Sequence, residues 1–420
     1  MLLDKKGRIE YFINNQKNKC EYIGVEIEHI VTDDKYRWTS YSDRLELFKY
    51  LIEERGYSPK YVDGVLLALK KEDLDISLEP GSQLEVSIEP KKTLDEIDFA
   101  YEKFLRDIVP YLKKRNQKLL DISFQPLTEM SEIELLDKKR YRWMDEEFSK
   151  TGTMGKYMMR GSVSTQVSVD YCSEEDFIRK YQLASKLSPF ISILTDNSPL
   201  CEGKIYRENA LRTKIWNNTD SPRCGLLKGS LDSKFDYDFY QKELMKIRPL
   251  VMIDNDDNFY RTDKSAIEEF GDLISEKHWE YLIGMTFFDV RAKNFIEIRM
   301  MDHMGYPNHL SGVAFIKNIF YNSKTLEILE NKFREFSEKD VVEFKDRIIK
   351  RGLRDSSVLD ICRFIVDVVV ENADVSDSKY LEIFKDIIRN KKTLKDRKVE
   401  ELDINFEKAL KNMEVDFELH

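Results

Sequence analysis

Residues 77–90 read SLEPGSQLEVSIEP, and the alternation within them decides what kind of sheet this chain builds. Leu84, Val86 and Ile88 alternate with Gln83, Glu85, Ser87 and Glu89. A period of two gives a strand one apolar face and one polar, acidic face. Glu79 stands just upstream, before a Pro80-Gly81 turn. A half-buried antiparallel strand ordinarily turns its polar face to solvent. The other reading is that the carboxylates await a cation.

Three more segments repeat the pattern. In GVEIEHI (24–30), Val25 and Ile27 oppose Glu26 and Glu28. In SVSTQVSVD (162–170), Val163, Thr165, Val167 and Val169 oppose Gln166, Ser168 and Asp170. In NFIEIRMMD (294–302), Ile296, Ile298 and Met300 oppose Glu297 and Arg299. These polar faces contain no lysine. If the four strands share a sheet, their carboxylates converge, and like charges so placed need a cation. Oxygen donors without Cys or His suit Mg2+ or Mn2+ rather than zinc. Carboxylate-held Mg2+ commonly serves a phosphate substrate, so the pattern points to metal-assisted phosphoryl chemistry on a concave antiparallel sheet. His29 falls on the apolar face and reads as structural. Met158 and Met159 read as packing, and the glycines of KTGTMGKYMMRGS (150–162) read as an ordinary loop rather than a lid.

The bulk properties narrow the class. The chain has 420 residues and a net charge of -10, which allows a sizeable core and argues against a nucleic-acid binder with its basic stripe. Five cysteines without a C-x-x-C spacing argue against a zinc ribbon or a dense disulfide framework, so reduced thiols in a cytoplasm are expected. The start, MLLDKKGRIEYF, shows no secretory signal, and no apolar run reaches the length of a membrane span. There is no phosphate-binding G-x-x-x-x-G-K-[ST] loop and no kinase motif set.

Helical periodicity marks 43–56, stopping at Gly56, and 93–116, with Thr93 as N-cap and Pro110 near the end. It also marks 172–190, with Ser173 and Asp176 at capping-box spacing. Beyond about 310 the chain reads as almost wholly helical. Val358, Ile361, Ile365 and Val368 line one helix face there. With no linker, residues 1–420 are expected to form a single catalytic domain, 1–310 as the sheet core and 311–420 as a helical buttress.

Six segments then occur in order: GVEIEHI, SLEPGSQLEVS, MMRGSVSTQVSVDY-x-SEEDFIRKY, ILTDNSP, ALRTKIWNNTDSPRCG and FFDVRAKNFIEIRMMD. Together they resemble the plant-type glutamate–cysteine ligases, from about residue 20 to 310. The resemblance implies an α+β, glutamine synthetase-like fold with a curved, mainly antiparallel sheet forming a funnel-like active site, flanked by helices. It implies ATP, Mg2+ (Mn2+ as the alternative ion), and transfer of a γ-glutamyl group to the amine of cysteine, or to another amine in a divergent member. A phosphotransferase on the same sheet is a further rival. By matching positions, Glu26, Glu28, Glu79, Glu85, Gln166 and Glu297 are implied metal ligands. Arg299 is implied to meet the ATP phosphates and to act with Glu297 in catalysis. Arg212 is implied to hold the glutamate α-carboxylate, a job suited to a guanidinium fork, and Trp216 and Arg291 also fall in substrate-binding motifs. Two departures, Ser168 in place of an expected Asn and Arg160 one place early in MMRGS, bear on the acceptor. The implied partners are small molecules, with no nucleic acid or membrane, for a cytoplasmic monomer or homodimer.

Overall fold

The four strands with acidic faces are consecutive neighbours in one antiparallel sheet. The computed structural model describes residues 1–62, 64–254 and 258–417. The strands of this sheet are β1 (Ile23–Thr32), β2 (Ser58–Val62), β3 (Val65–Lys71), β4 (Leu74–Leu78), β5 (Leu84–Lys91), β6 (Lys118–Leu120), β7 (Thr165–Val169), β8 (Val290–Ala292) and β9 (Ile296–Ile298). Their order is β8-β9-β7-β1-β5-β4-β3-β2, with β6 pairing β1 off that path. The path is open, with β8 and β2 at its two ends.

Register turns alternation into two faces. Glu28 lies opposite Glu85, and Glu26 opposite Ser87 on one side and Gln166 on the other. Glu297 lies opposite Ser168 and Arg291. On the reverse face Val25, Ile27, Val86, Val167, Ile296 and Ile298 are all buried in the main hydrophobic core. Burying each such side chain fully contributes about 1.5–3 kcal/mol, so a register slip of one residue would cost the sheet this whole set.

Helix α1 (Tyr41–Arg55) ends at Gly56, whose φ of 74° makes it a left-handed cap, a conformation that suits glycine. Helix α2 (Leu94–Lys114) starts from a Thr93–Glu96 capping box and buries Ile97, Tyr101, Phe104 and Ile108 on the apolar side of the sheet. The segment read as a loop, 150–162, instead holds the end of α3 (Lys139–Thr151) and a one-turn helix, α4 (Gly155–Arg160). Helix α5 (Glu174–Leu194) starts at Ser173 as expected but runs through Pro189, past the expected end. Its second half is buried almost all round, so packing offsets the one backbone bond that a proline removes.

The chain after 310 is helical as expected, from α6 (Ser311–Phe320) through α7 (Ser356–Asn372) to α8 (Leu394–Ile404) and beyond. It grips the sheet part directly. Val415 N–H donates to Leu119 O at 2.8 Å and Asp121 N–H to Met413 O at 2.8 Å. From α8, the Lys398 ammonium donates to Asp121 O and Asn197 Oδ1 at 2.6 and 2.7 Å. Among the described residues no helix is long and apolar enough to cross a membrane.

The expectation of all-reduced thiols is corrected. Cys20 and Cys172 form a disulfide across 152 residues of sequence, while Cys201, Cys224 and Cys362 are free. Cys20 precedes β1 and Cys172 follows β7, so antiparallel pairing of those strands brings the two together.

Candidate active site

The polar face of β1, β5 and β7 forms one wall of a cavity lined by Glu26, Glu28, Glu79, Glu85, Gln166, Arg212, Trp216, Arg291 and Arg299. Of the ten residues that the sequence singled out, nine line it. The tenth, Glu297, is buried at its edge and bonded to Arg291 and Arg299. Helices α3 and α4 and the short helix Leu211–Asn217 add Met144, Met158, Met159 and Trp216 to the cavity lining. Met158 and Met159 pack on the core as expected and also face this space.

The Glu79 turn is held by close backbone approach. Glu79 N–H donates to Gln83 O at 3.0 Å, and Ser82 N–H to Glu79 O at 2.9 Å. A side chain at Gly81 would put its Cβ 2.8 Å from Arg160 Cα and O. Only glycine lets the turn sit this tightly on the end of α4. Arg160 itself is spent on structure, donating to Asp145 Oδ2 at 2.8 Å and to Met130 O at 3.2 Å.

The acids divide into two groups. At one end Glu28 accepts from Ser164 N–H and Oγ–H at 2.8 and 3.0 Å, and Glu85 accepts from Ser77 Oγ–H at 2.9 Å. No side-chain cation is ion-paired to Glu26, Glu28, Glu79 or Glu85 among the described residues. Burial, and then the charge of Glu28, push the Glu79 carboxyl up to about 7 despite Arg140. Burial and Glu26 raise Glu85 well above the carboxylate range, and burial and Glu297 raise Glu26. The charged forms are thus destabilised where they stand.

At the other end Glu297 is neutralised. It accepts from Arg291 Nε and Nη2 at 2.6 and 3.0 Å, Arg299 Nη1 at 3.0 Å and Lys293 Nζ at 3.4 Å. Burial opposes its charge, but Arg291, Arg299 and Lys293 outweigh it and hold its carboxyl well below the usual range. Arg291 also donates to Thr286 O at 2.9 Å, so it is occupied with its own protein. Gln166 bridges the two ends. Its Oε1 accepts from Arg299 and its Nε2 donates to Glu28 at 3.2 Å, which sets the orientation of the amide.

Arg212, on the Leu211–Asn217 helix, is 4 % exposed. Among the described residues its side chain donates only long hydrogen bonds, to Ser162 Oγ at 3.4 Å and to Arg299 O at 3.3 and 3.4 Å. Its guanidinium lies 5.5 Å from the Trp216 ring centroid, and Trp216 stacks on Phe287 at 5.7 Å. Among the described residues no carboxylate is ion-paired to it. A buried, unneutralised guanidinium beside a cavity is suited to an anionic group.

Sequence reading missed two cations. Lys293 belongs to the β8–β9 turn, so a face free of lysine by alternation still receives one from outside the strand. Arg140 lies on α3, with no strand period to reveal it. Among the described residues no three of the glutamate oxygens lie within 4.8 Å of one another; the one such group of potential ligand atoms is Cys20, Cys172 and Asp176, where the sulfurs are already bonded to each other.

The chain is similar to known proteins along most of its length. The model of glutamate-cysteine ligase family 2 (GCS2) matches residues 22–357. The chain is 27% identical to the chloroplastic glutamate–cysteine ligase of Arabidopsis thaliana over 422 residues, covering 91% of this chain and 80% of that one. It is 26% identical to chloroplastic glutamate–cysteine ligase A of Oryza sativa subsp. indica over 381 residues, covering 87% and 77%. In fold it is similar to the crystal structure of glutamate–cysteine ligase from Francisella tularensis in complex with AMP. There the TM-score is 0.58 at 11% identity, over 95% of this chain and 88% of that one.

Proposed function

The chain belongs to glutamate–cysteine ligase family 2, and from that premise we propose that it is an ADP-forming ligase joining the γ-carboxylate of glutamate to the amine of cysteine. The observation that carries this reading is one cavity holding both an unneutralised, buried Arg212 and a row of carboxylates without ion-paired cations. The first takes an anionic substrate; the second takes a hard cation.

In the proposed reaction a glutamate γ-carboxylate oxygen bonds to the γ-phosphorus of ATP as the bond to ADP breaks. The acceptor's neutral amine then bonds to the acyl carbon, phosphate leaves, and the amine gives up a proton. Arg212 would hold the glutamate α-carboxylate, with Trp216 packing its guanidinium. Arg299, fixed by Glu297 and Gln166, would meet negative charge growing on the transferred phosphoryl group. Preorganised charge of this kind is worth several kcal/mol to such a step.

The donor set fits Mg2+: Glu26, Glu28, Glu79 and Glu85 offer only oxygen, and raised carboxyl pKa values mark charge awaiting compensation. Mn2+ would suit the same donors. When bound, the ion would neutralise the nucleotide phosphates. Gln166 and Glu297 belong to the same implied set, but Glu297 already serves three cations and so has the weakest claim of the six. Arg291, busy with Glu297, acts in this reading by positioning that carboxylate rather than by touching substrate.

The reading also takes the sheet as the wall of a funnel and the whole chain as one catalytic unit, supported by the grip of α8 on Asp121 and Asn197. Its setting is cytoplasmic, as a monomer or homodimer. The test is an acceptor screen with purified enzyme, ATP and glutamate, read by phosphate release and product mass. Cysteine should give γ-glutamylcysteine and ADP. Phosphate release that does not depend on glutamate, or that never occurs with cysteine, overturns the reading.

A further inference from the structure

We propose that Arg140 receives the carboxylate of the amine acceptor, an assignment that rests on the ligase reading above. Arg140 lies in the first turn of α3 and lines the same cavity as Glu79, Arg212 and Arg299. It is close enough to Glu79 to draw that carboxyl's pKa downward. Among the described residues it nonetheless makes no ion pair, and its Nε is buried without a hydrogen-bond partner. The rings of Tyr141 and Tyr281 flank its guanidinium at 5.7 and 6.0 Å. Contacts to ring faces stabilise a guanidinium but satisfy none of its N–H donors. A fork held by rings with its donors unspent is built for a planar oxyanion.

Elimination says which one. The reaction brings three anionic groups into one cavity: the nucleotide phosphates, the glutamate α-carboxylate and the acceptor carboxylate. Arg299 and Arg212 answer the first two. Arg291 is consumed by Glu297, and Arg160 by Asp145. Arg140 is left, on a different element from the other two.

The experiment compares wild type, Arg140→Gln and Arg140→Lys, with KM measured separately for cysteine, glutamate and ATP. A second acceptor, cysteamine, keeps the amine and thiol but lacks the carboxylate. For Arg140→Gln the cysteine KM should rise about tenfold or more, the scale for a lost charge-assisted contact. Glutamate and ATP values should stay near wild type, and cysteamine kinetics should not change, so the preference for cysteine over cysteamine collapses. Arg140→Lys should recover part of that preference, which a merely structural arginine would not show. It also keeps the test valid if Arg140→Gln melts early. Calorimetric titration of cysteine into the enzyme with glutamate and a non-hydrolysable ATP analogue should show the same loss. A rise confined to the ATP KM assigns Arg140 to phosphate and overturns the proposal, as does an unchanged cysteine-to-cysteamine ratio. If the wild type uses no amino-acid acceptor, the ligase reading falls and takes this assignment with it. If the wild type ligates cysteine and Arg140→Gln changes nothing, only the assignment falls.

Discussion

The two faces of the central sheet bury titratable groups in opposite states of completion. On the apolar face His29 donates from Nδ1 to Leu84 O at 3.2 Å, and its Nε2 then accepts from the Tyr101 hydroxyl at 2.8 Å. Burial pushes its pKa down to about 3, so the ring is neutral and both nitrogens are satisfied. On the polar face Glu79 is driven to about 7, and its carboxylate has no hydrogen-bond partner among the described residues. Both groups stand next to the same strands. One is complete within the protein; the other has no partner among the described residues, as a group that takes a ligand in the proposed reaction would. Burial alone therefore does not separate a functional residue from a structural one; the missing partner, together with its place in the cavity, is what sets Glu79 apart from His29.

The largest expected effect tests whether the polar face is unfinished. Chelation of divalent ions with EDTA should reduce ADP formation to background, and Mg2+ should restore it. Full turnover in metal-free buffer would place Glu79 and Glu85 in the same completed class as His29.

Next comes a pair of substitutions one residue apart on opposite faces. Ile298→Asp puts a charge into the core and should destabilise the protein by about 2–7 kcal/mol, read as early thermal unfolding. Arg299→Ala should leave the melting temperature near wild type but lower kcat about 10²–10³-fold. If Arg299→Ala melts early while its folded fraction turns over normally, the faces have been exchanged.

The smallest effect concerns pH. Folding lowers the His29 pKa from 6.5 to about 3 and that of His303 well below 6.5, both chiefly by burial. Between these limits the unfolded chain binds protons that the folded chain does not. Their contribution is complete above about pH 6.5 and is lost as pH falls, by up to about 1.4 kcal/mol per pH unit per histidine. The carboxyls with raised pKa values work in the opposite sense, losing stability as pH rises toward 7, so the whole-protein curve mixes both. Comparing wild type with His29→Gln isolates the ring. The wild type's advantage in melting temperature at pH 7.5 should shrink steadily toward pH 5. A constant gap would mean that His29 takes up a proton in the folded state.

Which residues share a face was legible in the alternation of the chain. Alternation is a property of the backbone, so Glu26, Glu28, Glu85 and Gln166 were bound to point away from Val25, Ile27, Val86 and Val167 once those strands formed. The caps at Thr93 and Ser173 and the stop at Gly56 were equally local, and the ordered segments carried the family. What each polar group meets depends on how the elements pack in three dimensions. That packing brought Lys293 and Arg291 onto Glu297, which holds that carboxylate charged while the similar Glu85 is pushed toward neutrality. It joined Cys20 to Cys172, extended α5 beyond residue 190 to Leu194, and set Arg140 in the same cavity as Glu79. Lys293 and Arg291 are near Glu297 in sequence, but only the β8–β9 hairpin turns them onto it; the other pairings have no short spacing, because they depend on strand order and on helices arriving from distant parts of the chain. Coulomb interactions and burial act through space, and so the chemistry of this site is written in distances that no linear pattern contains.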